Sequence, residues 1–149
     1  MDQVSDRKFI SVCGGVFCTY FPQALEGKCD YILRGEGDEV VPELMDLIEQ
    51  GKDGHHLMNV HPNPMRPAMN VNTLPPTDHT IFDERSLYRP FQGKIIKIAT
   101  VETQRGCPFK CKFCNSPSNA ALYKGETDSL FFRKRTVQHQ EEELSLIHI

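Results

Sequence analysis

The first third of the chain alternates short apolar runs, glycine stops and one amphipathic stretch, the rhythm of strand, turn and helix. Phe9, Ile10 and Val12 around Ser11 make a run halted by Gly14 and Gly15, which predicts a buried strand feeding a glycine turn, with a short helical turn at 22–26. Tyr31, Ile32 and Leu33 predict a second strand. Beyond Gly35-Glu36-Gly37, Val40, Val41, Leu44, Leu47 and Ile48 fall on one face of a helix that tolerates Pro42 in its first turn and stops at Gly51. Strand, helix, strand, helix predicts an α/β protein built on a doubly wound parallel sheet.

Periodicity then fades, and Pro62, Pro64, Pro67, Pro75, Pro76 and Pro90 give 53–92 the composition of a connecting segment. Order resumes at 94–101, where β-branched residues alternate into a strand that ends beside Arg105-Gly106. Thr136 is a good N-cap for a last helix running to Leu144. Residues 144–149 match one reading frame of a sequencing adapter, so 145–149 is read as a non-native tail and carries no functional argument. The expected organisation is one domain over 1–52, a linker over 53–92 and a second domain over 93–144.

Composition narrows the partners. A formal net charge of -3 over 149 residues argues against a nucleic-acid partner. No apolar run is long enough to span a bilayer and no export leader is recognisable, so the expectation is no membrane contact and a cytoplasmic location.

Chemistry concentrates in Cys107-Pro-Phe-Lys-Cys111-Lys-Phe-Cys114, half of the six cysteines in one loop. Three thiolates so spaced can hold three irons of a cubane cluster and leave the fourth iron open. Arg105, Lys110 and Lys112 would temper the surplus negative charge, or simply be solvated loop residues. Zinc is the competing metal, but only Cys111 and Cys114 form a knuckle, and Cys107 with His139 would have to complete it. A zinc site or an electron-transfer cluster without substrate chemistry is the alternative function. Cys13, Cys18 and Cys29 lie in or beside apolar elements and are read as buried free thiols.

The cysteine loop resembles the signature of the radical S-adenosylmethionine enzymes, C-x-x-x-C-x-aromatic-C on the loop after the first strand of a partial (β/α) barrel. Cys107, Cys111 and Cys114 match the three ligands of a 4Fe-4S cluster, and Phe113 matches the aromatic position near the adenine. The resemblance implies that the open iron chelates S-adenosylmethionine and that one electron, from a donor such as a flavodoxin or ferredoxin, cleaves it to a deoxyadenosyl radical. The substrate would be a small molecule or natural product.

Gly14-Gly15, the run 29–39 and the amphipathic helix resemble the second half of the Rossmann-like cobalamin-binding domain that precedes the barrel in one subgroup, and 74–78 resembles its interdomain stretch. Gly14 and Gly15 would then let the nucleotide tail of cobalamin approach the backbone. The bland reading is a turn glycine pair. Asp53-Gly54-His55 imitates the start of the motif that supplies an axial histidine, but Met58 stands at its glycine position, so it is read as coincidence. Gly125-Glu126 comes too early for the glycine-glutamate motif that holds the amino group of S-adenosylmethionine. The chain as a whole is read as a fragment: the C-terminal half of a cobalamin domain followed by the start of the barrel.

Overall fold

A computed structural model describes residues 9–98 and 100–147, with the side chains of 146 and 147 excepted, and divides the chain into two compact units. The protein is α/β. Unit 1 takes in the chain to Met69 together with Ala121–Ser129, and unit 2 holds Asn70–Ala120 and the remainder.

Unit 1 begins with β1 (Val12–Cys13) and β2 (Tyr31–Ile32), paired parallel with Val12 opposite Tyr31, joined through α1 (Val16–Tyr20) and a 3₁₀ turn at Pro22–Leu25. The parallel strand–helix–strand order expected from the sequence is therefore present. The first strand is shorter and more open than expected: Phe9 and Ile10 are exposed, because pairing starts only beyond Ser11, whose backbone N–H and hydroxyl both donate to Asp30. Helix α2 (Val40–Glu49) presents Val40 and Leu44, both fully buried, with Ile48 packed behind them. It closes as the pattern predicts: Lys52 N–H donates to Leu47 O at 2.8 Å and Gly51 N–H to Ile48 O at 2.9 Å, the paired bonds of a Schellman stop.

The core of unit 1 is Tyr31, Leu33, Val40, Leu44 and Val60. Val60 comes from the proline-bearing stretch, which runs antiparallel beside β2: Leu33 bridges Val60, Arg34 N–H donates to Asn59 O, and His61 N–H to Ile32 O. Met65 is buried as well. Because Leu44 has no exposed surface, Leu44→Ala is expected to cost about 2–5 kcal/mol through lost burial and a residual cavity, read as a lower urea midpoint of the whole chain.

Unit 2 contains β3 (Tyr88–Phe91) and β4 (Lys94–Lys97), an antiparallel hairpin with Phe91 opposite Lys94. Among the described residues, the β-branched run expected as one strand over 94–101 forms a strand at Lys94–Lys97. Its partner is local, since Gln92 and Gly93 both adopt positive φ (48° and 74°), the two-residue reversal that joins twisted antiparallel strands. Next come β5 (Gln104–Arg105), paired antiparallel with β6 (Arg133–Lys134), and α4 (Val137–Ile147), which Thr136 caps by accepting the His139 N–H at 3.2 Å. Helix α3 (Ser116–Thr127) follows the cysteine loop, and its residues from Ala121 onward count with unit 1. There Tyr123 is buried and Glu126 pairs with Arg34 at 2.6 Å, so Gly125-Glu126 is helical. No helix among the described residues is long and apolar enough to cross a membrane.

Candidate metal centre

The cysteine loop hangs between two ordered ends. Upstream, β5 holds Arg105 opposite Arg133. Downstream, α3 begins two residues after Cys114. Between them Cys114 N–H donates to Cys111 O at 3.1 Å, closing a tight turn at the last two cysteines. Gly106, which introduces the loop, has φ 83°, and a Cβ there would sit 2.4 Å from Phe131 O. Only glycine permits both that backbone twist and that contact between neighbouring segments.

Cys107 is half-buried, while Cys111 and Cys114 are exposed. The Ser116 N–H lies 3.4 Å from Cys114 Sγ, and hydrogen bonds from Ser116 hold this thiol below its usual range, which favours the thiolate a metal needs. Phe113 is 94% exposed, so its ring has a free face. The structure thus places all three sequence-predicted ligands in one anchored loop. It does not converge them: no group of three or more His, Cys, Asp or Glu side chains is gathered for a metal among the described residues. The donor set nonetheless fits an iron-sulfur cluster, being three solvent-accessible thiols on a loop fixed at both ends.

The zinc alternative would need His139 as its fourth ligand. His139 is buried on α4, where Nε2 contacts Arg135 Nη1. Sequence reasoning missed the ion network to which it belongs. Glu102, just ahead of β5, receives Arg105 Nε at 2.9 Å and Arg135 Nη2 at 3.1 Å; Arg135 also reaches Glu143 at 3.5 Å, and Thr77 donates to Glu143 at 2.7 Å. Arg105, first among its causes, holds the Glu102 carboxyl below the usual glutamate range, with Arg135 contributing. This network braces the strand entering the cysteine loop against α4. The signal available in sequence was only a pair of acids and a pair of arginines with no shared spacing. Glu143→Ala is expected to cost about 1–3 kcal/mol, because it removes one of the two carboxylates that hold the buried Arg135 guanidinium and leaves Glu102 as the other. Thermal unfolding of the variant beside Glu142→Ala, an exposed neighbour, checks this.

The other three cysteines are free. Burial and a hydrogen bond with Cys13 push Cys29 up to about 11, and burial raises Cys18. Only Cys18 is buried as the sequence reading expected; Cys13 and Cys29 are half-buried, and the structure brings them closer together than their spacing suggested. Gly15 precedes α1 at φ 92°, with nothing within 4 Å of where a Cβ would stand; Gly14 would meet only Leu33 Cβ at 3.8 Å. The twist alone accounts for glycine at 15, and the surface beside it is open. His55 has both ring nitrogens engaged, Nδ1 with Asp53 at 2.5 Å and Nε2 with Asp30 O at 3.1 Å. It also lies against the Tyr31 ring, which suits a structural histidine.

Comparison with known proteins agrees with the motif. The chain is 28% identical over 157 aligned positions to an uncharacterized methyltransferase of Pyrococcus horikoshii, covering 97% of this chain and 31% of that protein. It is 28% identical over 122 positions to the anaerobic magnesium-protoporphyrin IX monomethyl ester cyclase of Rubrivivax gelatinosus, covering 71% and 21%. It is 31% identical over 99 positions to the hopanoid C-3 methylase of Methylococcus capsulatus, covering 61% and 18%. These relatives are methyltransferases and cyclases of the radical S-adenosylmethionine family, and the resemblance carried by Cys107, Cys111 and Cys114 stands with them. The chain spans less than a third of the length of the relatives named here. No family model and no solved structure matches it.

Proposed function

We propose that the chain is the cluster-bearing part of a radical S-adenosylmethionine enzyme in which Cys107, Cys111 and Cys114 hold a 4Fe-4S cluster. The observation that carries this reading is the loop itself: three thiols between a strand and a helix, introduced by a glycine that nothing else can replace. Held by Cys107, Cys111 and Cys114, such a cluster would supply the one-electron reduction that cleaves the carbon-sulfur bond of S-adenosylmethionine. The chain's own residues do the holding. Ser116 favours the thiolate of Cys114, Glu102 fixes Arg105 beside the loop, and the free face of Phe113 is available to cover a ring of the bound nucleoside.

The parent enzyme would use that chemistry for methyl transfer, cyclisation or rearrangement of a small-molecule or natural-product substrate, taking electrons from a flavodoxin- or ferredoxin-like donor. Cobalamin would be a second cofactor, its nucleotide tail lying along the open backbone at Gly14 and Gly15. The division proposed is a partial cobalamin-binding domain over 1–52, a connection over 53–92 that packs Val60 and Met65 into unit 1, and the start of the barrel over 93–144.

Oxygen-free reconstitution of the full-length enzyme with iron and sulfide tests the central claim. The expected result is a cubane cluster whose electron paramagnetic resonance spectrum changes when S-adenosylmethionine is added. A zinc-only protein, or a cluster whose spectrum ignores that ligand, would overturn it. Equilibrium titration with cobalamin tests the second cofactor separately, and absence of binding removes it from the proposal.

A further inference from the structure

Apart from the cysteine loop, unit 2 contains a cavity of about 450 Å³, within the size range of small-molecule sites. Phe82, Leu87 and Ile98 give it an apolar wall, while His79, Arg89 and Glu102 bring polar groups to it. Two observations single it out. His79 Nε2 is buried and has no hydrogen-bond partner. Buried polar atoms are nearly always paired, so an unpaired ring nitrogen on a cavity wall is suited to a hydrogen bond with a bound molecule.

The second observation is charge. Glu102 is offset by Arg105 and Arg135, and Arg135 is shared with Glu143, so two acids and two guanidiniums cancel. Arg89 lines the same cavity from β3 and has no ion-pair partner among the described residues. Of the two charged side chains lining the cavity beside the apolar wall, Glu102 is thus held by guanidiniums and Arg89 is held by no carboxylate among the described residues.

We infer that this cavity binds a small organic monoanion: a carboxylate on an aromatic or alicyclic body that carries one further hydrogen-bonding group. The carboxylate pairs with Arg89, the body packs on Phe82, Leu87 and Ile98, and the second polar group bonds to His79 Nε2. The inference does not use the cysteines, so it stands or falls independently of the cluster.

The probe is 6-hydroxy-2-naphthoate, titrated by its own fluorescence into the whole chain without iron, beside 2-naphthol and 2-naphthoate. Saturable binding of 6-hydroxy-2-naphthoate is expected. Arg89→Gln should weaken both carboxylates about tenfold, the size of a hydrogen bond between charged groups, and leave 2-naphthol unchanged. His79→Leu should weaken the two hydroxylated probes and spare 2-naphthoate. Arg85→Gln, which removes an exposed guanidinium paired with Asp83 at 2.6 Å, should change none of them. If His79→Leu does not fold, the exposed Arg89 position decides the matter alone. Failure of the probe to saturate at millimolar concentration, or equal binding by wild type and Arg89→Gln, overturns the proposal.

Discussion

Cys107→Ala, Cys111→Ala and Cys114→Ala are each expected to abolish cluster assembly, with iron and sulfide contents falling to background after oxygen-free reconstitution of the full-length enzyme, whereas Cys13→Ala retains the cluster. The asymmetry follows from geometry and acidity. The first three thiols share one anchored loop, and the Cys114 thiol is already shifted toward its anionic form. Cys13 instead pairs with a thiol pushed to about 11, in the other unit. A cluster held by three cysteines has no spare ligand, so each loss is complete rather than graded. Equal loss in all four variants would show that the ligands are wrongly assigned.

Gly106→Ala is expected to be nearly as damaging although it removes no ligand. Its Cβ would lie 2.4 Å from Phe131 O and 2.9 Å from the Phe131 carbonyl carbon, both backbone atoms that cannot swing aside. A φ of 83° adds about 1–3 kcal/mol of strain for any residue with a side chain. The two segments must part, which breaks the pairing of Arg105 with Arg133 and frees the upstream end of the cysteine loop. Gly93→Ala separates the contributions: φ there is 74° but nothing stands within 4 Å, so it pays only for the twist. Amide exchange at Arg105 and iron content should both respond to Gly106→Ala and neither to Gly93→Ala.

The elements that the sequence made legible are those whose reasons are local. Val40, Leu44 and Ile48 repeat at four-residue intervals and face one core, so α2 and its glycine stop could be read directly. Thr136 capped the last helix as expected, and the cysteine spacing picked out the loop. What stayed hidden depends on distant partners. Val60 earns its burial by lying against Leu33, across an interval no periodicity spans. Helix α3 is polar around most of its circumference and buries only Tyr123, so no apolar stripe announced it. Gln92-Gly93 lacks the Asn-Gly or Asp-Gly pair that marks a tight hairpin, so the β-branched run beyond it read as a single strand. The Glu102, Arg105, Arg135 and Glu143 network joins residues as far apart in the chain as Glu102 and Glu143 through side chains alone, which no window of sequence can show.

The β3–β4 ribbon has a practical corollary for anyone handling this polypeptide. All eight of its residues are exposed, and Tyr88, Phe91, Ile95 and Ile96 give it a greasy surface on an element that pairs with no third strand among the described residues. In a concentrated stock such a strip is expected to recruit its own kind, seen as light scattering that rises with protein concentration.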